Sequence, residues 1–246
     1  MAGKVLIVMP TYNEIDNLPR MLPALEALNL GLEILIIDDG SPDGTGNWVK
    51  GQQTTRPHLH LIERSGKLGL GSAYVRGFRF ALEKGYDFVF EMDADFSHDP
   101  SYIPEFLETI KECDLVLGSR YINGVTVVNW PMSRVLMSYY ASAYVRWVTG
   151  LPVRDTTAGF VCYTAKVLKA IELDKIKFKG YAFQIEMKFT AWKIGFSIEE
   201  VSIIFYDRTM GQSKMTSGIF KEAFFGVLDM KISSWFRKFP KKISNS

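Results

Sequence analysis

Five strand-like runs, alternating with helix-like segments and mostly continuous in their apolar residues, limit what this chain can fold into. They are Lys4-Val5-Leu6-Ile7-Val8-Met9, Glu33-Ile34-Leu35-Ile36-Ile37, His58 to Glu63, Phe88-Val89-Phe90-Glu91-Met92, ending in Asp93, and Asp114-Leu115-Val116-Leu117-Gly118. A strand with water on one face alternates apolar and polar residues, whereas a solid run is covered on both faces. Between the runs the spacing turns helical, as in Leu18, Met21, Leu22, Leu25 and Leu28. The pattern predicts an α/β fold: a mostly parallel sheet with helices on both faces.

Past Arg120 the alternation fails. Met132 to Val148 reads as a helix bearing Tyr139, Tyr140, Tyr144 and Trp147, and Asp155 to Phe160 as a loop. Tyr181 to Trp192 reads as a helix and Ile198 to Tyr206 as a single late strand. The 246 residues suit one sizeable domain, assigned to 1–215, with a helical extension over 216–246. Cys113 and Cys162 form no disulfide framework and point to a reducing, cytoplasmic setting. The N-terminus does not read as a signal peptide, and no run of ~20 apolar residues offers a membrane span. The overall charge of +2 hides a basic tail: from Gly211 onward seven Lys/Arg face two acids. Those basic residues form no nucleic-acid-binding module, so no nucleic-acid partner is expected.

Ligands of such sheets gather beyond the carboxyl ends of the strands. There stand Tyr12–Glu14, Asp38–Gly44, Ser65–Gly71, Asp93–Asp99 and Ser119–Tyr121. Asp93 and Asp95, spaced i, i+2 at the end of an extended run, would point the same way. Either they form an acidic turn, or they hold Mg²⁺ or Mn²⁺ with positions left open for a nucleotide's phosphates. Asp38-Asp39 is open to two readings, a solvated turn or a partner for ribose hydroxyls. Tyr12 offers a ring for a base, and Lys67 a cation for base or phosphate. The glycines Gly66, Gly69 and Gly71 fit neither the P-loop nor the dinucleotide spacing and fit a plain tight turn as well. Arg120, Arg134 and Arg208 are suited to phosphate, although a lone surface Arg is usually only solvated.

Six motifs then fall in order. Pro10-Thr11-Tyr12-Asn13-Glu14, Ile37-Asp38-Asp39-Gly40-Ser41-Pro42-Asp43-Gly44-Thr45, Gly69-Leu70-Gly71, Met92-Asp93-Ala94-Asp95, Gly118-Ser119-Arg120-Tyr121 and Gly180 to Met187 resemble GT-A-fold inverting glycosyltransferases. Within these the chain is similar to the dolichol-phosphate (polyprenol-phosphate) mannose synthases over residues ~4–215. The resemblance implies a Rossmann-like GT-A domain and transfer of mannose from GDP-mannose to polyprenyl (dolichyl) phosphate. It places Pro10, Tyr12, Glu14, Ile37 and Asp39 at the nucleoside, and Asp93, Ala94 and Asp95 at the metal and diphosphate. Arg120, Arg208 and Lys214 would clamp phosphates, and Arg134 with Ser138 would meet the acceptor phosphate. Two positions depart from the pattern: Val161 stands where the family usually has Arg, and Ser97 where some members place a Gln metal ligand.

A phosphate monoester, with a second pKa near ~6, is largely dianionic at neutral pH and needs no strong base to attack. His98 is therefore read as a turn or supporting residue. Ile219, Phe220, Phe224, Phe225, Leu228, Ile232, Trp235 and Phe236, followed by Arg237, Lys238, Lys241 and Lys242, predict a C-terminal amphipathic helix. It would lie on the cytoplasmic face of a membrane, pack on the domain, or dock on a membrane-anchoring subunit. The rival readings are a same-fold enzyme using a UDP-sugar and a silent sugar-nucleotide-binding subunit.

Overall fold

The computed structural model describes residues 3–180, 182–207, 217–240 and 242; for 217–223 it describes the backbone. The expected α/β sheet is present. Strands β1 (Val5–Thr11), β2 (Glu33–Asp38), β3 (Leu59–Glu63), β4 (Phe88–Glu91), β5 (Leu115–Ser119), β7 (Val161–Thr164) and β8 (Ile198–Ser202) form one seven-stranded sheet. Their order is β3-β2-β1-β4-β7-β5-β8, and every neighbouring pair is parallel except those made by β7. Helices α1 (Leu18–Glu26), α2 (Thr45–Gln53), α3 (Leu70–Lys84), α4 (Ile103–Thr109), α6 (Ala165–Ala170) and α7 (Ala182–Ile194) cover it. Two separate apolar cores follow, one on each face, as the solid runs require.

Two departures from the sequence reading matter for function. Residues 161–164 form β7, which runs antiparallel between β4 and β5, with Val161 opposite Glu91 and Leu117. Because β7 runs backward, the Asp155–Phe160 loop that precedes it arrives at the same sheet edge as the carboxyl ends of β4 and β5. Val161 is fully buried in that strand and belongs to the core. The late strand is two: β8 follows β5 as far as Ser202, and β9 (Phe205–Tyr206) pairs instead with β6 (Val127–Val128).

Helix α3 lies tight on β1. A Cβ at Gly77 would come within 2.4 Å of Val8 Cγ1, so a side chain there must push helix and strand apart. Gly77→Ala is expected to cost about 1–3 kcal/mol by overpacking, read as a lower denaturation midpoint with unchanged slope. A stability equal to wild type would show that the contact yields freely.

Helices α5 (Met132–Thr149) and α8 (Ser217–Phe236) stand beside α7 as a third cluster around Val145, Ile185, Phe189, Val227 and Met230. The extension is thus helical, as expected, and one side of it packs on the domain. Its other side exposes Phe224, Phe225, Ile232, Trp235 and Phe236, while Lys242 turns back to pair with Asp114 at 2.7 Å. The division at 215/216 falls outside the described residues, as do Tyr181, Arg208, Lys214 and Lys241.

Candidate active site

The β1 and β2 ends are laced into one platform. Asp38 is buried and accepts from Thr11 Oγ1 at 3.0 Å, Ser41 N at 2.9 Å and Ser41 Oγ at 2.5 Å. It therefore builds the loop, and the neighbouring Asp39, also buried, turns to Arg64. Asp39 receives Arg64 in a fork, Nε at 2.5 Å and Nη2 at 2.7 Å, and Arg64 Nη1 donates to Ser72 Oγ at 2.8 Å. Each carboxylate oxygen keeps a further lone pair for a ligand hydroxyl. Arg64 escaped the sequence reading; its only signal was its place directly after β3.

The Tyr12 ring lies under the Lys67 ammonium at 3.6 Å, so the two residues proposed for a base meet each other. Glu14 sits beside them, its Oε2 accepting from Asn17 Nδ2 at 2.7 Å, and Pro10 is the last but one residue of β1. Ile37 is fully buried against α3, so a contact of this residue with a nucleoside would run through its backbone. The glycine-rich turn has a packing reason: a Cβ at Gly71 would collide with Phe183 Cδ2 at 2.6 Å.

Strand β4 stops at Glu91, so Asp93 and Asp95 lie in a bend and not on the extended run that the spacing suggested. Phe96, at φ +62°, turns the chain back in a conformation a bulky side chain rarely adopts. That turn brings Ser97 N to Asp95 Oδ1 at 3.1 Å, and His98 Nδ1 to the backbone N–H of Asp93 at 3.0 Å. His98 also stacks on Phe160, with centroids 5.1 Å apart. It is a buried support for the acidic turn, as read from the sequence. Ala94 and Asp95 are buried, Asp93 partly so.

The donor set suits a hard divalent ion. The turn carries the carboxylates of Asp93 and Asp95, and the buried Ser97 hydroxyl has no hydrogen-bond partner among the described residues. No group of three or more His, Cys, Asp or Glu side chains gathers there among the described residues. Mg²⁺-type sites are commonly built from one or two carboxylates completed by water and substrate phosphates, which is what this turn offers.

Across the sheet edge, Arg120 at the end of β5 is buried and held by Asp155 through Nε at 2.6 Å and Nη2 at 2.7 Å. Burial works to raise the Asp155 carboxyl, and the guanidinium outweighs it, leaving the group below the usual carboxylate range. A depressed folded value means the stabilisation is complete above the unfolded pKa and lost as pH falls through the folded one. Asp155→Asn is therefore expected to flatten the loss of melting temperature from about pH 6 to about pH 3. Parallel curves for variant and wild type would refute that. Arg134, in the first turn of α5, pairs with Asp207 at 2.9 Å, and Ser138 Oγ accepts from Tyr121 O–H at 2.7 Å.

Beneath the acidic turn lies a buried polar relay that the sequence did not disclose. Gln184 Nε2 donates to Glu91 Oε2 at 2.5 Å, and Lys188 Nζ donates to Ala158 O at 2.7 Å and Gln184 O at 3.0 Å. Glu186, on the same helix, accepts from the backbone N–H groups of Lys177 and Phe178 and so holds the segment entering α7.

Comparison with known proteins gives the family. A family model described as "Glycosyl transferase family 2" matches residues 6–171. The chain is 47% identical over 220 residues to an undecaprenyl-phosphate mannosyltransferase of Micrococcus luteus, covering 89% of this chain and 90% of that one. It is 40% identical over 234 residues to a polyprenol monophosphomannose synthase of Mycolicibacterium smegmatis, covering 94% and 86%. Among solved structures it is similar to glucosyl-3-phosphoglycerate synthase from Mycobacterium tuberculosis, at TM-score 0.65 and 15% identity over 94% of this chain and 78% of that one. A mannosyltransferase from Pyrobaculum calidifontis, solved with GDP-Man and Mn²⁺, matches at TM-score 0.59 and 16% identity, covering 98% and 66%. At such identities the structures speak for the fold alone, which is that of these glycosyltransferases. With the family model spanning well over half its length, the chain belongs to glycosyl transferase family 2.

Proposed function

We propose that this protein transfers mannose from GDP-mannose to a polyprenyl phosphate with inversion, giving a β-linked polyprenyl-phosphate mannose and GDP. The observation that carries the reading is the likeness, over about nine-tenths of both chains, to a relative named for mannosyl transfer to undecaprenyl phosphate. The geometry is what two phosphate-bearing substrates need: an acidic, oxygen-rich turn at Asp93 and Asp95 and basic groups at Arg120 and Arg134.

Tyr12, Glu14 and Asp39, with the backbone at Pro10 and Ile37, receive the nucleoside. Asp93, Ala94, Asp95 and Ser97 face the diphosphate. Mg²⁺ or Mn²⁺ bound there would offset the charge that builds on the departing diphosphate. Arg120, with Arg208 and Lys214 beyond the described residues, clamps phosphates. Arg134 and Ser138 hold the acceptor phosphate in line with the anomeric carbon, and this positioning replaces a base. His98 accepts from the Asp93 backbone N–H and stacks on Phe160, so it is assigned as a support for the acidic turn and not as the base.

The lipid acceptor calls for a membrane-facing side. Helix α5 exposes Met137, Tyr140 and Trp147, the last at 84%, next to the exposed aromatics of α8, with Tyr144 stacked on Phe224 at 4.7 Å between them. Such a surface suits peripheral binding to the cytoplasmic face of a membrane, or to a membrane-anchoring subunit. No helix among the described residues is long and apolar enough to cross a membrane. The test supplies labelled GDP-mannose, UDP-glucose or UDP-N-acetylglucosamine with polyprenyl phosphate and Mg²⁺ and counts label in the organic phase. Label from GDP-mannose alone is expected; label from a UDP-sugar would overturn the donor.

A further inference from the structure

Trp130 precedes Pro131 at the entrance to α5. Its indole ring lies 4.0 Å from the Arg134 guanidinium carbon and 5.5 Å from that of Arg120, both within cation–π range. Phe205 backs it edge-on at 5.3 Å and lies 5.4 Å from the Arg120 guanidinium carbon. Two guanidinium groups repel each other, and the Trp130 ring beside both, together with Asp155 on Arg120 and Asp207 on Arg134, helps hold them in place.

Two donors in this cluster are sealed from water and make no hydrogen bond among the described residues: the Trp130 indole N–H and Arg134 Nε. Buried donors without an acceptor are rare in folded proteins, and each calls for an explanation. An indole N–H can only donate, and a guanidinium carries no acceptor. The missing group is therefore an acceptor, and beside two guanidinium groups an anionic one. A phosphate monoester meets that description, with three terminal oxygens to share among several donors.

The geometry points to Trp130 as a binding residue for the acceptor phosphate: its ring helps hold Arg120 and Arg134, and its N–H donates to a phosphate oxygen. This rests on the proposed function for the identity of the acceptor. Asp207, now on Arg134 Nη1 at 2.9 Å, occupies one of the guanidinium donors that the incoming phosphate would share.

The test uses the full chain and a short, water-soluble prenyl phosphate, so that reach to a membrane does not enter. Calorimetry reads its binding, and that of GDP-mannose, for wild type, Trp130→Phe and Trp130→Leu. Trp130→Phe keeps a ring and loses the N–H. It is expected to weaken prenyl phosphate binding about tenfold, one hydrogen bond to a charged partner at ~1.4 kcal/mol. Trp130→Leu loses ring and donor and is expected to weaken it further, with a fall in kcat for mannosyl transfer. GDP-mannose binding should stay within about twofold of wild type in Trp130→Phe, which keeps a ring beside Arg120, and a general disturbance of the fold would not allow that. Equal prenyl phosphate binding by wild type and Trp130→Phe would overturn the proposal, as would equal losses for both substrates. So would a wild type that binds no prenyl phosphate. Prenyl phosphate binding that depends on Trp130 in a protein that transfers no mannose would keep this site and sink the proposed reaction instead.

Discussion

Asp95→Ala is expected to lower mannosyl transfer about a thousandfold, because stabilising a leaving diphosphate with a bound divalent ion is worth several kcal/mol and each ~1.4 kcal/mol is tenfold. Phe96 at φ +62° folds the chain so that Asp95 Oδ1 takes the Ser97 N–H, which fixes the carboxylate before any ligand arrives. Alanine removes one of the two carboxylates proposed for the ion, and Ser97 cannot replace its charge. The fold should survive, since the lost Asp95–Ser97 hydrogen bond is worth about 1 kcal/mol, or roughly 2–4 °C in a chain of this size. Activity and melting temperature should therefore separate widely. A chelator applied to wild type should reproduce the loss, and added Mn²⁺ should restore wild type but not the variant. Transfer by Asp95→Ala above about a tenth of wild type, in the presence of chelator, would remove the ion from the mechanism.

What the sequence disclosed follows from how far each signal reaches along the chain. Strands β1, β2, β4 and β5 announce themselves because burial on both faces needs an unbroken apolar run. Strand β7 does not: Val161–Thr164 is four residues whose partners, Phe88–Glu91 and Leu115–Leu117, are supplied by distant parts of the chain. The run from Ile198 to Tyr206 reads as one strand because nothing local marks the break; it breaks because β5 ends at Ser119 and β6 captures Phe205 and Tyr206. The site divides the same way. Asp93 and Asp95 are visible by spacing, whereas Arg64 gains meaning only from Asp39, twenty-five residues earlier. Trp130 reads as one more aromatic residue until Arg120 and Arg134 are seen around it. The least legible group is Lys188, one polar position in a helix buried almost throughout.

Lys188→Met should accordingly be the most destabilising of the single changes considered, at about 3–5 kcal/mol, because it leaves a buried carboxylate without its cation. Lys188 and Glu91 are both fully buried. Burial pushes Glu91 up to about 7, against the pull of Lys188, and pushes Lys188 down to about 8, against the pull of Glu91. Each holds the other's charge in place, with Gln184 bridging them through Nε2 to Glu91 and through its carbonyl to Lys188 Nζ. Methionine fills a similar volume, so the loss is electrostatic and not a cavity. The expected fall in melting temperature is roughly 6–20 °C for a chain of this length. Glu91→Gln added to Lys188→Met should recover more than half of it, since the neutral amide no longer needs the cation; that recovery is the coupling a double-mutant cycle measures. Additive losses would show that Lys188 serves only the Ala158 and Gln184 carbonyls. That contact predicts a second effect, on function: Ala158 lies in the loop that carries Asp155, the partner of Arg120. The rescued double variant, stable but lacking the Lys188–Ala158 bond, should keep its donor affinity and lose kcat. A double variant that regains both stability and full kcat would confine Lys188 to charge balance alone.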